Sequence, residues 1–131
     1  MTIKKPIKTE RLLTEVELEL MSILWRHEGG GTVNDVIAGL PPGRDLAYTS
    51  VSTILRILEQ KKVVGTRKEG RGHIYYPLLA KNAYEATTLH HLVTTVFDNA
   101  PSTLVKRLIE SEKLSKEEIQ KIQALLNKRA K

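Results

Sequence analysis

The side chains between Thr49 and Gln60 carry the chemistry needed to read a nucleic acid. An Arg can donate two hydrogen bonds to guanine O6 and N7, a Gln can pair with adenine, and a Thr methyl can touch the thymine methyl. Arg56, Gln60, Thr49 and Thr53 supply those groups. The hydroxyls of Thr49 and Ser50, beside the free N–H groups of a helix start, suit a phosphate. At about 100° per residue, Thr49, Ser52, Thr53, Arg56 and Gln60 fall on one side of a helix over residues 49–61. Val51, Ile54, Leu55 and Leu58 form its apolar stripe. Whether Ser52 and Gln60 reach a base depends on how deep the helix sits, and spacing leaves that open.

A second set of cations follows. Residues 63–68 and 73–77 are β-prone runs on either side of Glu69-Gly70-Arg71-Gly72. That pattern predicts a β-hairpin, ended by Pro77. Its tip is basic, and Arg67, Lys68 and Arg71 suit phosphates. Residues 56–73 hold six Lys/Arg (Arg56, Lys61, Lys62, Arg67, Lys68, Arg71) against Glu59 and Glu69, a local surplus of four positive charges. The first predicted helix is acidic instead, with Glu15, Glu17 and Glu19, so it should face away from a polyanion.

Other chemistries find no support. No nucleophile–base pair sits in a recognisable motif, so an enzyme is not expected. No cofactor is implied. Gly29-Gly30-Gly31 lacks the strand, Lys and Ser/Thr of a phosphate loop and reads as a helix stop. His90 and His91 are adjacent, so on a helix they point about 100° apart and chelate one metal ion poorly. Trp25 and Met21 read as core. With no cysteine, disulfides and Cys-ligated metals are excluded.

The elements that position these residues come from periodicity. Thr14 and Glu17 form a capping box before a helix whose face carries Val16, Leu20, Ile23 and Leu24. A short helix starts at Thr32, with Asp35 three residues on, and ends near Gly39. Pro41-Pro42-Gly43 is a loop. From about Ala80 the pattern is helical to the end. Its three apolar stripes are separated by Asp98-Asn99-Ala100-Pro101 and by a capping box at Ser115 and Glu118.

Three helices followed by a hairpin, with a polar third helix, predict a mostly α fold with a small β-hairpin: a winged helix-turn-helix plus a C-terminal helical region. The helix-turn-helix lays its second helix, here the third of the chain, in the major groove. The domain reading is a basic tail at 1–11, a winged-helix DNA-binding domain at 12–79 and a helical dimerisation domain at 80–131. About 50 residues of amphipathic helix bury little surface alone. They either cap the winged helix or pair with a second copy, and pairing suits readers of palindromic DNA.

Composition agrees. The 131 residues are 40% hydrophobic, enough for one globular domain with an appendage. Lys+Arg number 21 and Asp+Glu 15, a net +6 that permits a polyanion partner. No apolar run approaches the roughly 20 residues of a membrane span, and no signal peptide is evident, so a cytoplasmic protein without membrane insertion is expected.

The chain resembles the BlaI/MecI/CopY family, the penicillinase repressors, over roughly residues 12–130. Leu13-Thr14-Glu15-Val16-Glu17, continuing to Met21 and Trp25, resembles the opening helix. Thr32 through Val36 resembles the second. The most specific segment, Arg44 through Leu55, resembles the approach to the recognition helix, and Tyr48 within it joins the DNA-contact candidates. Leu58, Lys61 and Arg67 through Tyr76 continue the likeness into the wing. The resemblance implies a homodimeric repressor of an inverted-repeat operator, with β-lactam-response or related genes as targets. It implies a dimer interface built from Leu89, Leu92, Val93, Val96, Leu104, Leu108, Ile119, Ile122 and Leu126. In the β-lactam-responsive members a membrane sensor protease triggers cleavage in the C-terminal region. Two departures stand out. The copper-responsive branch carries C-terminal cysteines, absent here. The staphylococcal branch is cut at Asn-Phe, where this chain has Arg107-Leu108. A MarR- or PadR-type winged-helix regulator and a winged-helix protein-interaction module remain the alternatives.

Overall fold

The computed structural model describes residues 12–130, and the basic tail read at 1–11 lies outside them. Three helices come first: α1 (Glu15–Arg26), α2 (Val33–Ala38) and α3 (Tyr48–Gln60). A hairpin of β1 (Val64–Glu69) and β2 (Gly72–Pro77) follows, then α4 (Lys81–Thr95), α5 (Pro101–Ser111) and α6 (Lys116–Ala130). The fold is the expected mostly helical one with a winged helix-turn-helix order.

Local chemistry sets the helix starts. Thr14 and Glu17 close a full capping box on α1, and Thr32 and Asp35 close another on α2. Each satisfies two backbone N–H groups that the helix itself leaves unpaired. At α6, Ser115 Oγ accepts the Glu118 N–H at 3.1 Å. Helix α3 ends in a Schellman turn: Val63 N–H donates to the Leu58 carbonyl and Lys62 N–H to that of Glu59. Lys62 takes φ +63° there, a position that favours glycine. Asp98 and Asn99, both at positive φ, separate α4 from α5.

The antiparallel hairpin pairs Val64 with Pro77, Thr66 with Tyr75 and Lys68 with His73. Gly70 opens its two-residue turn at φ +61°, as a II′ hairpin turn requires of its first residue. The sequence reading left out a third strand contact. Gly31 exchanges two backbone hydrogen bonds with Tyr75, at 2.9 and 2.8 Å, and so ties the α1–α2 connection to the wing. Gly30 makes that approach possible. Its φ is +93°, and a Cβ there would stand 2.3 Å from the Tyr75 carbonyl oxygen.

The core lies between α1, α2, α3 and the wing. Leu20, Leu24, Val36, Val51, Leu55 and Leu58 are fully buried, with Val64 and Tyr75 closing it from the hairpin. Trp25, expected in the core, is half-buried at its edge. Its indole Nε1 donates to the Leu79 carbonyl at 2.8 Å, and its ring lies 5.9 Å from that of Tyr84. The Tyr84 hydroxyl in turn accepts the Leu13 N–H.

The chain divides into two compact units, one ending at Thr88 and the other beginning at Leu89. The sequence reading put the junction at residue 79. Tyr84, buried beside Trp25, carries the first turns of α4 with the N-terminal unit.

One charge lies inside. Glu17 is 5% exposed, yet Lys61 Nζ reaches its Oε2 at 2.8 Å and the Thr14 N–H its Oε1 at 2.9 Å. Burial pushes the Glu17 carboxyl up, but the Lys61 and Thr14 hydrogen bonds outweigh it and hold it below the usual carboxylate range. A depressed carboxyl stabilises the fold above its unfolded-state pKa and ceases to do so as pH falls through the folded value. Glu17→Gln should therefore cost about 1–3 kcal/mol in denaturant unfolding at neutral pH. The gap from the parent chain should close in acid, below about pH 4.3. An equal gap at both pH values would place the loss in packing instead.

Candidate nucleic-acid interface

Helix α3 is held by one side and offers the other. Val51, Leu55 and Leu58 are buried, while Thr49, Ser50, Thr53, Arg56 and Gln60 are exposed and Ser52 is half-buried. Tyr48 is 54% exposed at the first turn. Ile57, which spacing alone did not single out, shows on the same outward side.

The start of α3 differs from those of α1 and α2. Its N-cap, Ala47, makes no side-chain cap hydrogen bond, and no acidic residue lies in the first turn. Among the described residues no side chain therefore answers the partial positive charge of the first N–H groups of α3. Thr49, Ser50 and Thr53 line a shallow hollow beside this end with Ile54.

Around the helix, on the wing side, lies a cleft of about 580 Å³. Tyr48, Ser52 and Arg56 line it from α3, Arg71 and His73 from the wing, and Asn34 from α2. The structure thus brings Arg56 and Arg71, fifteen positions apart in sequence, to one concave surface. Gln60 lines neither the cleft nor the hollow. Tyr75 forms part of the cleft wall, and burial, then the nearby Glu59 charge, push its phenol up, with Arg56 opposing. It stays a neutral hydroxyl at physiological pH.

The wing has two sides, because side chains alternate along a strand. Val64, Thr66 and Lys68 with Tyr75 and His73 face α3; Thr66 Oγ1 donates to Glu59 Oε2 at 2.9 Å across the gap. Arg67 lies on the other side. Its guanidinium sits 5.9 Å over the Tyr76 ring and 3.6 Å from Glu69. Gly65 leaves the room for Tyr76, since a Cβ there would come within 2.6 Å of that ring. Arg67 is thereby set apart from Arg71 and Lys68, with which sequence alone had grouped it.

Ion pairs sort the remaining charges. Lys61, counted in the basic surplus, is committed to Glu17, and Arg44 clamps Glu19 with two nitrogens at 2.9 Å each. Glu17 and Glu19 of α1 are therefore tied up in ion pairs. Among the described residues no ion pair engages Arg56, Lys68 or Arg71. Asn34, Thr66 and His73 were missed as site residues. The strand alternation counted in both directions from the turn at Gly70 was the available signal for the two wing residues.

The C-terminal unit carries a different surface. Leu89, Leu92, Val96, Leu108, Ile119 and Leu126 are exposed, and Val93, Leu104 and Ile122 are half-buried. No residue of α5 or α6 is buried within the single chain. Arg107 and Leu108 lie in mid-helix on α5, both exposed, with Arg107 paired to Glu110 at 3.2 Å. No described helix is long and apolar enough to cross a membrane.

A three-helix unit, a wing, and an outward polar third helix with cations beside it define the winged-helix class of DNA-binding regulators. The penicillinase-repressor family profile matches residues 13–128, and the chain belongs to that family of DNA-binding transcriptional repressors. It is 27% identical over 114 residues to the penicillinase repressor of Bacillus licheniformis, spanning 87% of this chain and 88% of that protein. It is 25% identical over 117 residues to the methicillin resistance regulatory protein MecI of Mammaliicoccus sciuri, spanning 89% and 94%. A solution structure of monomeric Bacillus licheniformis BlaI with the blaP half-operator aligns over 55% of this chain and 87% of that one, at 29% identity and a TM-score of 0.47.

The Thr66–Glu59 bond is the side-chain hydrogen bond joining wing to α3 among the described residues. Thr66→Val should speed amide hydrogen exchange across β1 and β2 while leaving α1 unchanged. Unaltered exchange in the wing would mean that strand pairing and Tyr75 hold it alone.

Proposed function

We propose that this chain acts as a homodimeric repressor that grips an inverted-repeat operator with α3 and the wing of each protomer. One observation carries this reading: Arg56 and Arg71 converge on a cleft beside α3, and neither has an ion-pair partner among the described residues. In this reading Arg56 makes the bidentate base contact, with Thr49, Thr53 and Ser52 beside it and Tyr48 and Gln60 at the two ends of the helix. Ser50 and the free N–H groups of α3 take a phosphate, as do Lys68 and Arg71. Arg67, stacked on Tyr76, reaches the backbone from the far side of the wing.

The C-terminal unit supplies the second protomer's contact. Apolar side chains left exposed at this density are an interface signature. Val105, Ile109 and Leu125 extend the exposed set, at 39%, 56% and 66%. Joining two half-site readers raises the affinity for a palindrome through effective concentration, so separating the protomers releases DNA. A cut in α5, at or near Arg107-Leu108, would let a membrane sensor protease do this. The relatives' names, penicillinase repressor and methicillin resistance regulator, support β-lactam-response or related genes as targets.

Fluorescence anisotropy on DNA from immediately upstream of the chain's own gene, against scrambled DNA, tests the reading. Selective binding at two chains per site is expected, weakening steeply as salt rises. Arg56→Ala should cost about 1–3 kcal/mol on the operator and relax preference at one position per half-site. Binding unchanged by that substitution would remove Arg56 from the readout. Equal binding to both DNAs would refute control of its own gene.

A further inference from the structure

The wing places an imidazole where the proposed interface needs a cation. His73 lies on the α3-facing side of β2, opposite Lys68, and lines the cleft with Arg56 and Arg71. It is exposed and makes no side-chain hydrogen bond or ion pair among the described residues. We propose that His73 is a proton-dependent DNA contact, so that DNA binding by this chain is coupled to uptake of a proton on the wing. This rests on the DNA-binding reading and adds to it a residue and a linkage.

The charges around His73 set the direction. From α3, Arg56, Glu59 and Tyr48 line the same cleft; from the wing, Arg71 and Tyr75 do, and Lys68 stands directly across the hairpin from His73. Three of these are cations and one, Glu59, is an anion whose Oε2 is already held by Thr66. Without DNA, a proton on His73 adds to a cationic surface. With DNA seated, phosphates surround the imidazole and favour its charged form. The complex therefore takes up as much as one more proton per protomer than the free chain, drawn from solvent, and falling pH tightens binding. The protonated ring also neutralises one more phosphate, which releases one more counterion.

Salt titrations of affinity for a mixed-sequence duplex, at about pH 6 and pH 8, read both consequences across the ordinary imidazole range. For the parent chain the slope of log K against log salt should be steeper at the lower pH by about 0.9 per protomer. His73→Gln should give the shallower slope at both pH values, and His73→Lys the steeper slope at both. A parent slope independent of pH would overturn the proposal. So would a pH response that survives in His73→Gln, which would assign the proton to another group. Salt-insensitive, negligible binding by the parent chain at either pH would instead strike the DNA-binding reading itself.

Discussion

Two backbone hydrogen bonds between Gly31 and Tyr75 decide where the wing sits, and the cleft exists only because of that placement. A two-stranded hairpin is marginal by itself. Here the extra bridge, the burial of Val64 and Tyr75, and the Thr66–Glu59 bond fix it against the helical unit. Gly30 is the enabling residue, since any side chain there would collide with the Tyr75 carbonyl. Once the wing is fixed, Arg71 and His73 must look across at Arg56. The geometry of the candidate interface thus follows from a close backbone approach some forty residues away in sequence from the wing it positions.

The charges divide the same unit into two sides. Glu17 and Glu19 on α1 are neutralised by Lys61 and Arg44, which also brace the two ends of the α3 region. The Lys61 pair has a nearly buried carboxylate, so it serves mainly to fix α3 against α1; surface pairs like Arg44–Glu19 contribute little to stability. The consequence for function is that the carboxylates of Glu17 and Glu19 are compensated and do not oppose Arg56, Lys68 and Arg71 on the outward side. A modest net charge becomes a local one.

Local rules were legible in the residues, and long-range ones were not. The capping boxes at Thr14 and Thr32 and the stripe of Val51, Leu55 and Leu58 depend on neighbours within a helical turn or two, so spacing revealed them. The outward set from Thr49 to Gln60 followed from the same stripe. The Gly31–Tyr75 bridge joins segments far apart in sequence, and three glycines announced only a turn. Lys61 looked like part of a basic patch because its partner, Glu17, lies 44 residues earlier. The division of the wing into an Arg67 side and a Lys68–His73 side needed the register, which the position of Gly70 sets. The apolar stripes of α4, α5 and α6 were visible, but their exposure in the single chain only became so with the fold.

The central claim is that α3 and the cleft form one DNA-facing surface. Backbone NMR during titration with a DNA duplex maps that surface residue by residue. The account predicts the largest amide shifts at Tyr48–Thr53, Arg56 and Arg71–His73, smaller ones at Arg67 and Lys68, and little change in α1. Shifts concentrated on α1 or on the C-terminal helices, with α3 and the cleft silent, would contradict it.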